Sequence, residues 1–140
     1  MATEYTKNEF LISNDKKKLN VALIHKFLSD TYWSKGASYD RIFKSIKNSE
    51  CFGLYKGKEQ IGFARVITDY TTFAYLLDVF VVEKFRSLGL SKWLLECIFI
   101  SPEFKDLKRW MLSTEDAHEL YVKFGFKKLD RPEKFMEHRL

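Results

Sequence analysis

The sequence is poor in residues that crosslink a chain or break its regular structure: its 140 residues include 2 cysteines, 2 prolines and 6 glycines. Cys51 and Cys97 lack the spacing of metal ligands, and so few thiols are typical of a reducing compartment. We therefore expect no metal site and a cytoplasmic location. No apolar run approaches the roughly 20 residues of a membrane-spanning helix, and the opening MATEYTKNEF lacks a signal-peptide pattern, so we expect no membrane partner.

The residues that are present are typical of a folded globular protein: 46% are hydrophobic, 31% charged and 16% aromatic. The length suits one domain with a single core, so we expect residues 1–140 to form one domain. The net charge of +5 favours anionic ligands such as phosphates, nucleotides, nucleic acids or acidic proteins. Charge alone does not choose among them, and a solvated basic surface explains it equally well.

Hydrophobic periodicity predicts elements in the order β-α-α-β-β-β-α-β-α-β, which indicates a mixed α/β fold. We expect Ser38 to cap the second helix and Thr114 to cap the last helix, with Glu115 and Asp116 in its first turn and Gly125 as its stop. The run FAYLLDVFVV is too continuous for a half-exposed strand, so it predicts a central strand covered on both faces. Other strands are predicted in EYTKNEFLIS, CFGLY, IGFARVITD, LKRWMLS and around Phe135 and Met136; the other helices are LNVALIHKFLSD, a segment from Tyr39, and a segment from Leu90 to Pro102.

The stretch FRSLGLSKWLL, residues 85 to 95, places small residues and a cation between the predicted central strand and a predicted helix. The first amides of a helix have no internal acceptor, and the helix dipole adds partial positive charge there. Gly89 and Ser91 allow a ligand close to the backbone, while Lys84, Arg86 and Lys92 add full charges. The turn therefore suits a diphosphate. The alternative is that Gly89 serves only a tight turn and that Arg86 is solvated.

FVVEKFRSLGLSKWLL resembles motif A of the GNAT superfamily of N-acetyltransferases, in which Arg or Gln is followed by two residues, Gly, one residue, and Gly or Ala. Arg86 and Gly89 match, but Ser91 stands where Gly or Ala is usual. DAHELYVKFGF resembles motif B of the same superfamily, although Thr114 stands ahead of it where many relatives have Asn. The order of predicted elements also fits, so the resemblance covers nearly the whole chain. The motif B matches are Ala117, Leu120, Tyr121, Lys123, Gly125 and Phe126.

The resemblance implies a central mixed, mostly antiparallel β-sheet with helices on both faces. It also implies transfer of an acetyl group from acetyl-CoA to an amine that attacks the thioester directly. In the family the pantetheine arm pairs with the motif A strand, here at Phe80, Val81 and Val82. Amides near Val79 to Val81 would polarise the thioester carbonyl. The diphosphate would meet the following turn and helix start, at Arg86, Ser87, Leu88, Gly89, Leu90, Ser91 and Lys92, with Thr114 as a further cofactor contact.

Two residues are candidates for catalysis. Tyr121 matches the tyrosine of motif B and would donate a proton to the leaving thiolate; the alternative is that it only completes a helix face. Asp78 is the only charge within YLLDVFVV, and a buried charge is unfavourable unless it is paired or used. It is a candidate general base or an anchor for the substrate ammonium. An ion pair with Arg65 on the neighbouring strand is an equally good interpretation.

The predicted substrate contacts are Tyr32, Trp33 and Arg65. Tyr32 and Trp33 lie between the first two helices, a region that family members use to wall the acceptor site. A packing role in the core is an equally good interpretation of Trp33.

Two alternative functions remain from other classes. A degenerate relative would bind acyl-CoA as a sensor and transfer nothing. IGFARV has a weak similarity to the RNP1 pattern of RNA-binding domains, although Arg65 occupies a position where an aromatic ring stacks on a base. We predict the enzyme, with a small-molecule amine as acceptor and no nucleic-acid partner. We expect a homodimer, because dimers are the commonest oligomers among soluble proteins.

Overall fold

The computed structural model describes all residues, 1–140, and contains a six-stranded sheet whose spatial order follows the chain. Neighbouring strands are antiparallel from β1 to β5, and β6 is parallel to β5. The predicted mixed, mostly antiparallel sheet is therefore confirmed. The strands are β1 Glu4–Lys7, β2 Phe10–Ser13, β3 Glu50–Lys56, β4 Glu59–Thr68, β5 Phe73–Val81 and β6 Arg109–Met111; the helices are α1 Val21–Leu28, α2 Tyr39–Lys47, α3 Leu90–Ile100 and α4 His118–Val122.

Local signals in the sequence account for the helix boundaries. The Asn20 side chain accepts a hydrogen bond from the Leu23 amide at the start of α1, and the Ser38 hydroxyl accepts one from the Arg41 amide at the start of α2, as predicted. Gly125 follows α4 at φ 92°, a left-handed conformation that stops a helix. No helix of the structure is both long and apolar enough to cross a membrane.

Helices cover both faces of the sheet, which confirms the predicted layering. On one face α1 and α2 pack over β3, β4 and β5. On the other face α3 packs on a larger apolar cluster that also includes Tyr121 of α4. Phe63 lies in the first of these clusters and is fully buried. An RNA-binding module would need that ring exposed to stack on a base, so the RNP1-like IGFARV has a packing role instead.

Three of the predicted elements differ from the structure. EYTKNEFLIS forms two strands, β1 and β2, because Asn8 adopts φ 55° and makes a hairpin turn. The helix predicted from Thr114 begins later, at His118. Instead of capping that helix, the Thr114 hydroxyl accepts a hydrogen bond from the Ala117 amide one turn earlier.

The last strand predicted around Phe135 and Met136 does not form, and Met136 is 98% exposed. The neighbouring edge strand β6 has only 3 residues, so it offers few backbone groups for a further strand. Pro132, which precedes the segment, also lacks an amide proton to donate to such a ladder.

A β-bulge in β5 changes which residues face which core. Phe63 pairs with Phe80, but Arg65 pairs with Leu77, so β5 carries one extra residue at this point. Asp78 lies there at φ 57°, a conformation that costs a residue other than glycine roughly 1–3 kcal/mol. The extra residue reverses the alternation of side chains between the two faces of the sheet. Phe80 therefore packs against α1 and α2, whereas Val81 faces the α3 side.

Candidate active site

A cavity of about 890 Å³ opens beside β5, where that strand separates from β6. The two strands pair only over Phe73, Ala74 and Tyr75 of β5, so the rest of β5 has no strand neighbour on that side. The loop between α1 and α2 (residues 29–38), the start of α3 and the loop before α4 form the other walls. The predicted site residues that line this cavity are Tyr32, Trp33, Arg65, Asp78, Phe80, Val81, Arg86, Ser91, Thr114 and Tyr121.

The other predicted cofactor residues do not line the cavity. These are Val82, Ser87, Leu88, Gly89, Leu90 and Lys92. The Leu90 side chain is buried in the core, so only its backbone is available to a ligand. Leu88 is exposed. A second cavity, of about 580 Å³, lies beside β6 and holds none of the predicted site residues.

The backbone at the end of β5 is only partly free. The Val82 amide donates a hydrogen bond to the Ile61 carbonyl at 2.8 Å, so it is already used in pairing with β4. Because successive residues of a strand point their backbone groups to opposite sides, Val81 turns its groups toward the gap. Its carbonyl accepts a hydrogen bond from Arg86 Nε at 2.9 Å. Of Phe80, Val81 and Val82, we therefore assign the contact with the gap to Val81.

The turn between β5 and α3 has the shape of an anion cradle. Gly89 adopts φ 76° directly before α3, and a Cβ atom added there would meet nothing within 4 Å. Backbone conformation, rather than crowding, is therefore what favours glycine at this position. The first hydrogen bond of α3 runs from the Trp93 amide to the Gly89 carbonyl. The amides of residues 90 to 92 thus precede the helical ladder, which leaves them available to a phosphate group.

Asp78 is buried, at 6% exposure, and both of its carboxylate oxygens are used. Arg65 Nε donates to Oδ2 at 2.7 Å, and Trp33 Nε1 donates to Oδ1 at 2.9 Å. Of the interpretations of Asp78, the ion pair with Arg65 is the one whose contacts are present. Arg65 is held in turn by Ser49, whose hydroxyl accepts from Arg65 Nη1 at 3.0 Å.

Tyr121 lies at the wall of the cavity with only 9% of its surface exposed, and its hydroxyl makes no hydrogen bond within the protein. Burial raises the pKa of Tyr121 to about 12, because the phenolate loses its hydration, and the nearby Asp116 and Tyr32 raise this pKa further. The hydroxyl therefore keeps its proton at neutral pH and has it available to donate.

Among the cavity residues that the sequence did not indicate as site residues, two are acidic: Glu115 and Asp116. Both are exposed and take part in no ion pair. The sequence places them in the first turn of the last helix, but α4 begins only at His118, so they remain in the loop at the cavity. The Glu115 amide also donates to the Tyr32 hydroxyl at 3.3 Å, which connects the two loops that face each other across the site. The available signal was a pair of acidic residues directly before Ala117, the first residue that matches motif B.

Comparison with known proteins gives consistent matches. The family model described as an acetyltransferase (GNAT) domain matches residues 47–128. A candidate GNAT acetyltransferase from Xanthomonas campestris is 41% identical and has a TM-score of 0.91, with 94% of this chain and 93% of that chain covered. A candidate acetyltransferase from Gibberella zeae is 29% identical, with 85% of this chain and 79% of that protein covered. A GNAT acetyltransferase from Elizabethkingia anophelis, solved with acetyl-CoA bound, has a TM-score of 0.68 at 22% identity, with 89% and 80% of the chains covered.

Proposed function

Because the chain belongs to the GNAT family of acetyltransferases, we propose that it transfers the acetyl group of acetyl-CoA to the primary amine of a small molecule. The family transfers acyl groups from acyl-CoA, and this chain is an N-acetyltransferase of that family. The observation that carries the proposal is the separation of β5 from β6 next to the turn into α3. There a strand edge, a helix start and Arg86 face one cavity.

The donor side is formed by backbone groups more than by side chains. Acetyl-CoA supplies an activated acetyl thioester. The Val81 backbone, which faces the gap, is suited to pair with an extended pantetheine arm, and the amides of residues 90 to 92 are suited to a diphosphate. Arg86 and Lys92 add positive charge beside these amides. Ser91 is small enough to leave them accessible.

The acceptor side contains free negative charge and a proton donor. An alkylammonium group with a pKa near 10 must lose a proton before it can attack a thioester. Glu115 and Asp116 are the unpaired carboxylates that line the cavity, and they are suited to attract such a cation. The ammonium releases its first proton to solvent in the open cavity, and the neutral nitrogen then forms a bond to the carbonyl carbon. As the carbon–sulfur bond breaks, Tyr121 donates its proton to the sulfur, and the second proton released by the nitrogen restores the Tyr121 hydroxyl through solvent.

The first test is calorimetric titration of the protein with acetyl-CoA at two salt concentrations. We expect micromolar binding, and we expect Arg86→Glu to weaken it at least about tenfold, because the substitution reverses a charge beside the diphosphate. Lys58→Glu makes the same charge change on the exposed turn between β3 and β4, away from the cavity, and serves as the matched control. Higher salt should reduce the difference between the two variants.

The second step is a screen for release of free CoA with phenethylamine, spermidine, lysine and glucosamine as acceptors. Turnover of any of them supports the transferase. Acetyl-CoA binding without turnover of any amine would favour the sensor. If Arg86→Glu and Lys58→Glu bind acetyl-CoA with equal affinity, the diphosphate does not bind at residues 86–92.

We also propose a cytoplasmic location and a homodimer. Cys51 and Cys97 are both free and buried, which suits a reducing compartment. The homodimer stays a prediction, and sedimentation of the purified protein would test it.

A further inference from the structure

Asp78 has surroundings that general-base catalysis does not explain. It combines a left-handed backbone, at φ 57°, with a carboxylate that is almost completely buried on the bulge of β5. Backbone strain and buried charge persist only where surrounding contacts hold them in place, and such positions are common at functional sites. Oδ1 and Oδ2 each accept a hydrogen bond from a protein side chain, and the carboxylate is almost completely buried, so its observed contacts hold neighbouring residues rather than a substrate.

The contacts behind Asp78 make it rigid. Arg65 Nε donates to Oδ2, and Nη1 of the same guanidinium donates to the Ser49 hydroxyl. Ser49 donates in turn to the Ser45 carbonyl at 2.7 Å, in the last turns of α2. Asp78 is therefore fixed to β4 and to the junction of α2 with β3. Its remaining hydrogen bond, from the Trp33 indole, connects it to the loop between α1 and α2.

Trp33 gains little burial from this contact, because 44% of its surface remains exposed at the cavity. The hydrogen bond to Asp78 instead fixes the orientation of the Trp33 ring. Tyr32 packs edge-on against Trp33 at 5.1 Å, and its hydroxyl accepts from the Glu115 amide on the opposite side of the cavity. The loop is thus attached at two points, one on β5 and one on the loop before α4.

We propose that Asp78 is a positioning residue for the acceptor: held by Arg65, it fixes the Trp33 ring so that the loop between α1 and α2 forms a defined wall of the acceptor site. This inference rests on the proposed function, because it needs an amine that binds against that wall. No side-chain hydrogen bond links Asp78 or Trp33 to Val81 or to residues 86–92, so we expect donor binding to change little when the contact is lost.

The kinetic test compares Trp33→Phe, which removes the indole N–H and keeps a ring, with Asp78→Asn. The matched control is Trp93→Phe, on α3 outside the cavity. With the panel amine that turns over fastest, we expect KM for the amine to rise about tenfold in Trp33→Phe, as a hydrogen bond to a charged group is lost. The Kd for acetyl-CoA should stay within about twofold of the wild type. An unchanged amine KM in Trp33→Phe, or an equal loss of acetyl-CoA binding, overturns the proposal.

A spectroscopic test does not depend on turnover. In isotope-labelled protein the 3 tryptophans give three indole N–H resonances, and Trp33→Phe identifies the one from Trp33. We expect that resonance to shift and to exchange faster in Asp78→Asn, while the Trp93 resonance stays in place. If it does not move, Asp78 does not hold Trp33 and the inference is wrong. A shifted resonance in a protein that acetylates no amine would instead contradict the proposed function, and the positioning role would fall with it.

Discussion

Tyr121 combines three properties at the scale of a single residue: it lies in the cavity wall, its hydroxyl has no partner within the protein, and it retains its proton. Asp78 shares the burial, but its oxygens are already bound. In the proposed transfer we therefore assign proton donation to Tyr121, and attraction of the substrate cation to the exposed carboxylates of Glu115 and Asp116.

Tyr121→Phe should lower kcat by about 100-fold or more, because a positioned proton donor contributes at least that factor. The Kd for acetyl-CoA should change less than about twofold. Tyr39→Phe removes a hydroxyl from an exposed tyrosine outside the cavity and should have no effect. Equal kcat values for the wild type and Tyr121→Phe would show that the leaving sulfur takes its proton from another source.

The pH profile gives a second readout of the same residue. Because the pKa of Tyr121 is raised to about 12, its proton is present at all lower pH values and is lost only as pH approaches that value. Activity should therefore rise with pH as the amine loses its proton, without a falling limb between pH 7 and about pH 10. A falling limb in that range would contradict the assignment.

At the scale of an element, the turn into α3 depends on a conformation that only glycine adopts without strain. Gly57, in the turn between β3 and β4, has the same property: both residues have positive φ, 76° for Gly89 and 60° for Gly57, and neither has an atom within 4 Å of an added Cβ. The two glycines differ in that only Gly89 lies at the proposed diphosphate site. They form a matched pair for separating stability from binding.

Gly89→Ala and Gly57→Ala should each lower the free energy of unfolding by about 1 kcal/mol, since alanine in the left-handed region is strained by that amount. Only Gly89→Ala should also raise the Kd for acetyl-CoA, by about tenfold, because relief of the strain moves the amides that follow it. Urea unfolding and calorimetry measure the two effects. If both variants bind acetyl-CoA like the wild type, the turn has a structural role only.

The elements that the sequence predicted well are those encoded by local signals. The helix from Tyr39 follows from its apolar spacing and from Ser38, and the stop of α4 follows from Gly125. The strand predicted near Met136 needs a neighbouring strand to pair with. Because β6 has only 3 residues, it offers few backbone groups, and the sequence around Met136 does not reveal this. The same holds in the site. The motifs correctly predicted that Arg86 and Tyr121 line one cavity. The hydrogen bond between Asp78 and Trp33 joins residues 45 positions apart, and no local pattern predicts it.

At the scale of the whole molecule, the sheet separates two apolar cores, and several weak acids are buried in or beside them. Burial raises the pKa of Cys51 from 9.0 to about 12 and that of Cys97 from 9.0 to about 11. It also raises the pKa values of Tyr55 and Tyr121 above the usual 10.0. In each case the charged form loses hydration that the folded protein does not replace.

These shifts predict that the protein loses stability in alkaline solution. A group whose pKa is higher in the folded than in the unfolded state stabilises the fold fully below its unfolded pKa, and this contribution is lost as pH rises toward the folded value. For Cys51 the window runs from pH 9.0 to about 12, which corresponds to about 2–3 kcal/mol at pH 11. Urea unfolding under reducing conditions at several pH values between 7 and 11 should show the free energy of unfolding fall steadily above pH 9.

Cys51→Ala separates this effect from general alkaline damage. The substitution removes a buried thiol from the core under α1 and α2, so it should lower stability at pH 7 by about 1–2 kcal/mol through lost packing. It also removes one late-titrating acid, so the loss between pH 7 and pH 11 should be smaller than in the wild type. The free energies of unfolding of the two proteins should therefore converge above pH 9 and meet or cross by about pH 11. Parallel curves would show that Cys51 does not remain protonated in the folded protein, and that other groups cause the alkaline loss.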